Sequence, residues 1–375
     1  MPSTDSDQPM GSSFSGPTLM SLLTRLGDGA SADPSLRRAI DILSVQTERQ
    51  NSENRPFLSV VVRTQGRRLE ALADAMLCLY GQSSADFEVL LVCHDADPAS
   101  AVSISALVES QPASFRERIS TIEVTGGRRA RPLNVATERA QGRYIAFYDD
   151  DDLLFGHWVE AFRISAERAP GRLLRARVAS QRAIPEMWPQ DQDGFRHTSW
   201  PNTEYPAHFD QLAHFGMNYS PFMGWAFPRE LFHTYGLRFD EELYVCEDWD
   251  MILRGSLICG VEEVHELTAI YRRWEGIESS YTSHHSAEWE ASQARVIARL
   301  NESPIIFPPG TVMEILALLS ARSELNNVRG GLEAIYTSRS WRITEPVRGV
   351  LRYAASGARF TKRAVRRVIP SRSSQ

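Results

Sequence analysis

The chain has 375 residues, 42% of them hydrophobic, with 41 Lys and Arg against 47 Asp and Glu for a net charge of −6. That length buries a sizeable core and leaves room for appendages, and the mild acidity gives no basis for nucleic acid as a partner. Lys362 is the single lysine, so the body of the protein holds no catalytic lysine, and the four cysteines, Cys78, Cys93, Cys246 and Cys259, form no CxxC pair and read as free thiols of a cytoplasmic, reducing compartment.

Residues 1–54 read as an N-terminal extension. A Ser-, Gly- and Pro-rich start is expected to be disordered, and helical patterns follow around Leu19–Leu26 and Ser35–Thr47. No basic start leads into an apolar run, so no secretory leader is expected. At Phe57 the pattern changes. Phe57–Val62 is a short β-branched run of the kind that forms a buried parallel strand. Leu69, Leu72, Ala73, Met76, Leu79 and Tyr80 then recur at helical spacing. Phe87–Val92 predicts a second strand, Ser103–Val108 a helix, Ile119–Val124 a third strand and Leu133–Ala140 a helix ending at Gly142. Tyr144–Tyr148 is a fourth strand that runs directly into Asp149, Asp150, Asp151 and Asp152. This alternation predicts βαβ units, an α/β class and a mostly parallel sheet with helices on both faces.

Trp158–Arg168 predicts a helix closed by Pro170 and Gly171. Residues 180–220 show little periodicity and read as long loops over a site, and Trp188, Trp200 and Tyr219, with Trp225 just beyond, are available to stack on a sugar ring. A helix is expected around Pro228–Tyr235, an amphipathic helix at Trp249–Leu257 and a last strand at Thr268–Arg272. Residues 276–335 read as a helical extension, built from Glu288–Leu300 and Val312–Ile335, and the second of these can pair helices between the subunits of a homodimer. Residues 336–375 form a basic tail, with ten basic residues against the single acid Glu345. Its arginines, with Trp341 and Ile343, suit peripheral contact with an anionic membrane. No stretch approaches the roughly 18 apolar residues needed to span one.

Two acidic runs carry the chemistry. In an open parallel sheet, ligands sit beyond the carboxyl ends of the strands, and Asp149–Asp152 occupy such an end. Adjacent carboxylates repel one another, and a hard divalent cation removes that penalty. The same cation acts as a Lewis acid toward a departing diphosphate. Glu247, Asp248 and Asp250 open a later helix, where acids offset the helix dipole. There a carboxylate can also serve as general base toward an acceptor hydroxyl.

Taken in order, these stretches resemble a family 2 glycosyltransferase of the GT-A fold, over roughly Arg55–Trp274. Ser59–Thr64 and Phe87–Val92 resemble the first two donor-site strands. Asn134 through Asp152 resembles the helix, strand and DxD element. Phe239-Asp240-Glu241 with Glu247-Asp248-Trp249-Asp250 resembles the acceptor-side element. The resemblance implies a GT-A domain over 55–275 and a single inverting displacement without covalent intermediate. It implies Asp149 and Asp151 as ligands of Mn²⁺ or Mg²⁺, and Asp150 facing the ribose or donor sugar. Asp248 is then the catalytic base, with Glu247 orienting it or contacting the acceptor. Thr64 would lie near the nucleotide base, and Arg131 and Asn134 near donor phosphate or sugar, with Arg128 and Arg129 as equal candidates.

This sequence departs from the family pattern in three places. Cys93-His94-Asp95 stands where an Asp-Asp pair is common, so Asp95 or His94 would read the base. Arg63 replaces a common proline, and Pro132-Leu133-Asn134 a common Ala-Arg-Asn. The donor implied is a nucleotide-diphospho-sugar, the acceptor a glycan or lipid-linked hydroxyl, and the setting bacterial surface-polysaccharide synthesis. A nucleotidyltransferase is the rival enzyme, but it would want a Gly- and Lys-rich phosphate loop that is missing here. An inactive sugar-binding scaffold is the rival from another class.

Overall fold

The computed structural model describes residues 55–188, 192–276, 285–302 and 311–344, together with Ile305, Phe307 and Pro346. The N-terminal extension with its two helical patterns, and the tail past Pro346, lie outside the described residues. The chain divides into two compact units, Met1–Pro308 and Pro309–Gln375.

The first half of the larger unit follows the periodicity of its sequence. In chain order come β1 (Leu58–Thr64), α1 (Leu69–Tyr80), β2 (Phe87–His94), α2 (Pro98–Glu109), a single turn α3 (Ala113–Arg116), β3 (Ile119–Val124), α4 (Ala130–Arg139) and β4 (Tyr144–Asp149). The four strands lie parallel in the order β3-β2-β1-β4. Every β1 residue except Arg63 is buried. Successive side chains of a strand point to opposite faces. Val60 and Val62 therefore join a core layer with Leu72 and Met76 of α1, while Val61 joins another with Leu133 and Ala136 of α4. Asp97 starts α2: its carboxylate accepts from the Ala99 and Ser100 amides at 2.9 Å each, with Pro98 at the first helical position.

The second half comprises β5 (Leu153–Leu154), α5 (Trp158–Arg168), β6 (Leu173–Trp188), β7 (Gln192–His197), α6 (Gln211–Gly216), β8 (Trp225–Pro228), α7 (Glu230–His233), α8 (Glu247–Cys259) and β9 (Val261–Trp274). It extends the sheet in the order β4-β8-β6-β9-β5, with β7 paired to β6. Here β8 runs antiparallel to both β4 and β6, and β6 lies parallel to β9. The α/β class with helices on both faces of the sheet is the one expected.

One expectation is corrected. Residues 180–220 are not simply loops: the 16-residue β6 continues into them, followed by β7 and α6. Arginines hide that strand from a hydrophobicity reading. Leu174, Ala176 and Val178 face the core. Arg175 between them is also buried, and its guanidinium donates to the Pro206 carbonyl at 2.6 Å and to Ser220 Oγ at 2.9 Å. Likewise, the helix expected at Pro228–Tyr235 is shortened to the one-turn α7, strand β8 precedes it up to Pro228, and β9 extends well beyond Thr268–Arg272.

After the sheet, α9 (Ser286–Asn301) sets Val296 and Leu300 against Leu243, Val245, Trp249 and Leu253. Arg295 and Arg299 of this helix both reach Asp240, at 2.7 and 3.3 Å. The smaller unit holds α10 (Thr311–Thr337) and α11 (Arg339–Ile343). Ser338 caps α11 by accepting from the Trp341 amide at 3.2 Å. Among the described residues no helix is long and apolar enough to cross a membrane.

Candidate active site

Parallel pairing sets Arg63 of β1 beside Asp149 at the carboxyl end of β4. Neighbours in register share a face of the sheet, and the Arg63 guanidinium meets Asp149 at 3.0 Å. Its other nitrogen reaches Glu247 at 3.3 Å and donates to the Arg129 carbonyl at 3.0 Å. Glu247 also takes Arg129 Nε at 2.8 Å. One arginine thus joins two acidic runs that the sequence separates widely. Burial opposes the Glu247 charge, but the Arg129 and Arg63 guanidiniums outweigh it and bring this carboxyl down to about 2.

The four aspartates are not equivalent. Asp149 is the most open of the ion-paired ones, with 36% of its side chain exposed. Asp150 is buried, accepts from Thr64 Oγ1 at 2.5 Å, and is pushed up to about 7 by burial first and Asp151 second. Asp151 pairs with Arg68 at 2.6 Å, yet burial still raises its pKa. Asp152 faces inward. It accepts from the Arg272 amide at 2.8 Å, and its carbonyl accepts from Tyr148 at 2.8 Å, which pins the acidic turn to β9.

Asp248, in the first turn of α8, is under different constraints. One oxygen accepts from Asn218 Nδ2 at 2.9 Å and the other from the Trp249 amide at 2.7 Å. Burial first and the adjoining Glu247 charge second push it up to about 7. A carboxyl with that value exchanges its proton near neutral pH, as a general base must. Cys246, at the N-cap of α8, has φ 69°, and Asp95, just past β2, has φ 51°. Among the described residues these are the non-glycine positions with left-handed backbone. Such strain concentrates where a fold holds a site in place.

The other expected residues fall into place unevenly. Thr64 is buried and its hydroxyl is committed to Asp150, so it sets that carboxylate in position. Asp95 accepts from the Gly126 amide at 2.7 Å and lies 3.3 Å from His94 Nε2, which also contacts the Gly126 carbonyl at 3.2 Å. Asn134 is buried and bridges α4 to the approach of the second acidic run. It donates to the Phe239 carbonyl at 3.0 Å and to Glu241 at 2.9 Å, and accepts from the Phe239 amide at 2.8 Å. Arg131 is exposed and lies across Gly127. Arg129 makes the ion pair to Glu247, and Arg128 donates to the Glu242 carbonyl while its guanidinium covers the Tyr244 ring.

Trp225 is fully buried against Phe209 and His214, so it is a core residue and cannot stack on a sugar. Trp200 is 89% exposed. His157, which follows the acidic run, stands at the N-cap position of α5 without a side-chain hydrogen bond to the helix. Burial first and the neighbouring acids second raise the Cys246 thiol to about 12, which makes it a poor nucleophile.

Sequence reasoning missed three residues. Arg68, at the head of α1, holds Asp151 and lies over the Trp274 ring. Asn218 holds Asp248 from a segment without periodicity, and Arg272 braces Asp152 from β9. Only Arg68 carried a signal, as a basic residue where the turn after β1 leads into α1.

Asp149 and Asp151 offer the hard oxygen donors a divalent cation prefers. Among the described residues no three His, Cys, Asp or Glu converge into an all-protein cage. The set fits a cation that takes one or two carboxylates and completes its shell with phosphate oxygens and water, the usual arrangement for Mg²⁺.

No family model and no curated protein matches the sequence. Solved structures do match in fold. S. aureus TarS residues 1–349, in complex with UDP-GlcNAc, aligns at 16% identity and a TM-score of 0.50, covering 64% of this chain and 65% of that one. The same protein with UDP gives 15% identity, a TM-score of 0.46 and 64% of each chain. This chain thus spans just under two thirds of the length of the chain it matches, and at such identity the likeness is one of fold.

Proposed function

We propose that the chain is a glycosyltransferase of the GT-A type that moves a sugar from a nucleotide-diphosphate donor to an acceptor hydroxyl with inversion. The observation that carries this reading is Arg63, which holds Asp149 of the strand-end acids and Glu247 of the acceptor-side acids at once. The general base candidate Asp248 thereby stands next to the place where a parallel sheet takes its ligand. The fold likeness to S. aureus TarS, solved with UDP-GlcNAc, supports a nucleotide-sugar donor.

In this mechanism the acceptor hydroxyl attacks the anomeric carbon on the face opposite the diphosphate. Asp248 takes the hydroxyl proton as the new C–O bond forms, and the electron pair of the breaking bond leaves with the nucleoside diphosphate. Asn218 holds Asp248 in orientation, and Glu247, kept ionised by Arg63 and Arg129, keeps the Asp248 proton affinity high. Asp149 and Asp151 would hold Mn²⁺ or Mg²⁺, which supplies Lewis-acid stabilisation of the departing diphosphate. Asp95 or His94, at the end of β2, would face the nucleotide base. Synthesis of a bacterial surface glycan in the cytoplasm, on a glycan or lipid-linked acceptor and with the basic tail on the inner membrane face, is the setting proposed.

The test is release of nucleoside diphosphate from a panel of nucleotide sugars with candidate acceptors. Wild type should release it from at least one donor. Asp248→Asn should lower transfer by about 10²–10⁴-fold, the usual worth of a positioned base, while nucleotide affinity measured by calorimetry stays within about twofold. Wild-type transfer by Asp248→Asn would refute the assignment.

A further inference from the structure

Helix α10 runs for 27 residues, and apart from Thr311 and Ile315 its side chains are exposed along its whole length. That is unusual for its composition. A lone helix in water is marginal even for good helix formers, and Gly330 and Gly331 each cost this one about 1 kcal/mol against alanine. Its apolar residues are also ordered. Leu318, Ala321, Leu325, Val328, Leu332 and Ile335 alternate steps of three and four, the spacing of a coiled-coil seam. The five larger ones are 46–65% exposed.

We infer that α10 is a self-association helix whose seam packs in parallel against the same helix of further copies of this chain. Charge decides for this occupant and this direction. With Leu318, Leu325 and Leu332 at the a positions and Ala321, Val328 and Ile335 at d, Glu324 falls at g and Arg329 at the following e. In a parallel pair, g of one helix faces the following e of the other, so Glu324 meets the partner's Arg329, and the same contact recurs by symmetry. An antiparallel pair sets g against g and e against e, which brings like charges together. Glycines 330 and 331 fall at f and g, off the seam. Leucine at a with β-branched Val328 and Ile335 at d favours assemblies of more than two strands.

Sedimentation equilibrium of the full-length protein tests this. Wild type should be an oligomer at tens of micromolar, and Leu325→Asp with Leu332→Asp should reduce it to monomer. Glu324→Arg alone and Arg329→Glu alone should each weaken association by about two- to fivefold, in line with modest exposed pairs. Both swaps together should restore it. These two positions lie off the seam, so their variants do not depend on the core of the bundle. A monomeric wild type, or an unchanged mass for the double Leu→Asp variant, overturns self-association. A wild-type monomer that floats with anionic vesicles assigns the face to lipid instead. Failure of the double swap to restore association overturns the parallel arrangement.

Discussion

Asp248 is where the chemistry can be read most directly from physical terms. Its pKa of about 7 reflects burial and the neighbouring Glu247 charge. In the proposed mechanism Asp248 is the base and works only once it has lost its proton, so kcat should rise with pH through about 7 and level off above. The Asn218 amide donates to this carboxylate, and a donated N–H favours the ionised form. Asn218→Ala should therefore shift the acidic limb to higher pH, by up to about one unit, and lower kcat at pH 7 with little change in KM for the donor. A pH–rate profile that does not move would show that Asn218 has only a structural part. The position of Asp248 at a helix start was legible in the sequence, because acids gather in the first turn of a helix, and its proposed role came from the family resemblance. Asn218 was not, since a lone amide in an aperiodic stretch resembles any loop residue. Thr64 and Asn134 were found as candidates, and the contacts they make are to the protein: one positions Asp150, the other the approach to α8.

Packing between elements keeps these residues in register. Gly142 sits in the tight passage between α4 and β4. A Cβ there would come within 2.3 Å of the Ser59 amide nitrogen and 2.7 Å of the Leu58 carbonyl carbon, both backbone atoms of β1. Neither can yield without moving the strand that carries Arg63. Gly142→Ala should cost about 1–3 kcal/mol, the range for overpacking, which a denaturant titration would detect; unchanged stability would mean that β1 can shift freely. The elements of the first half were readable because their faces are cleanly apolar, as in β1, where only Arg63 escapes burial. Strand β6 was not readable, because Arg175 is buried on carbonyl and hydroxyl partners that no hydrophobicity pattern reveals. Strand β8 is only four residues long, too short to show a period.

At the scale of the molecule, the sheet brings the end of β4 and the start of α8 together, and Arg63 fixes them in one charged cluster. This convergence is a property of the topology: β1 lies between β2 and β4, so its carboxyl end is flanked by parallel strands on both sides. A crystal structure with a bound nucleotide sugar tests the convergence most directly. The diphosphate should lie at the carboxyl ends of β1 and β4 beside Asp149 and Asp151, with the anomeric carbon turned toward Asp248. A nucleotide bound elsewhere on the sheet, or a sugar facing away from Asp248, would contradict it.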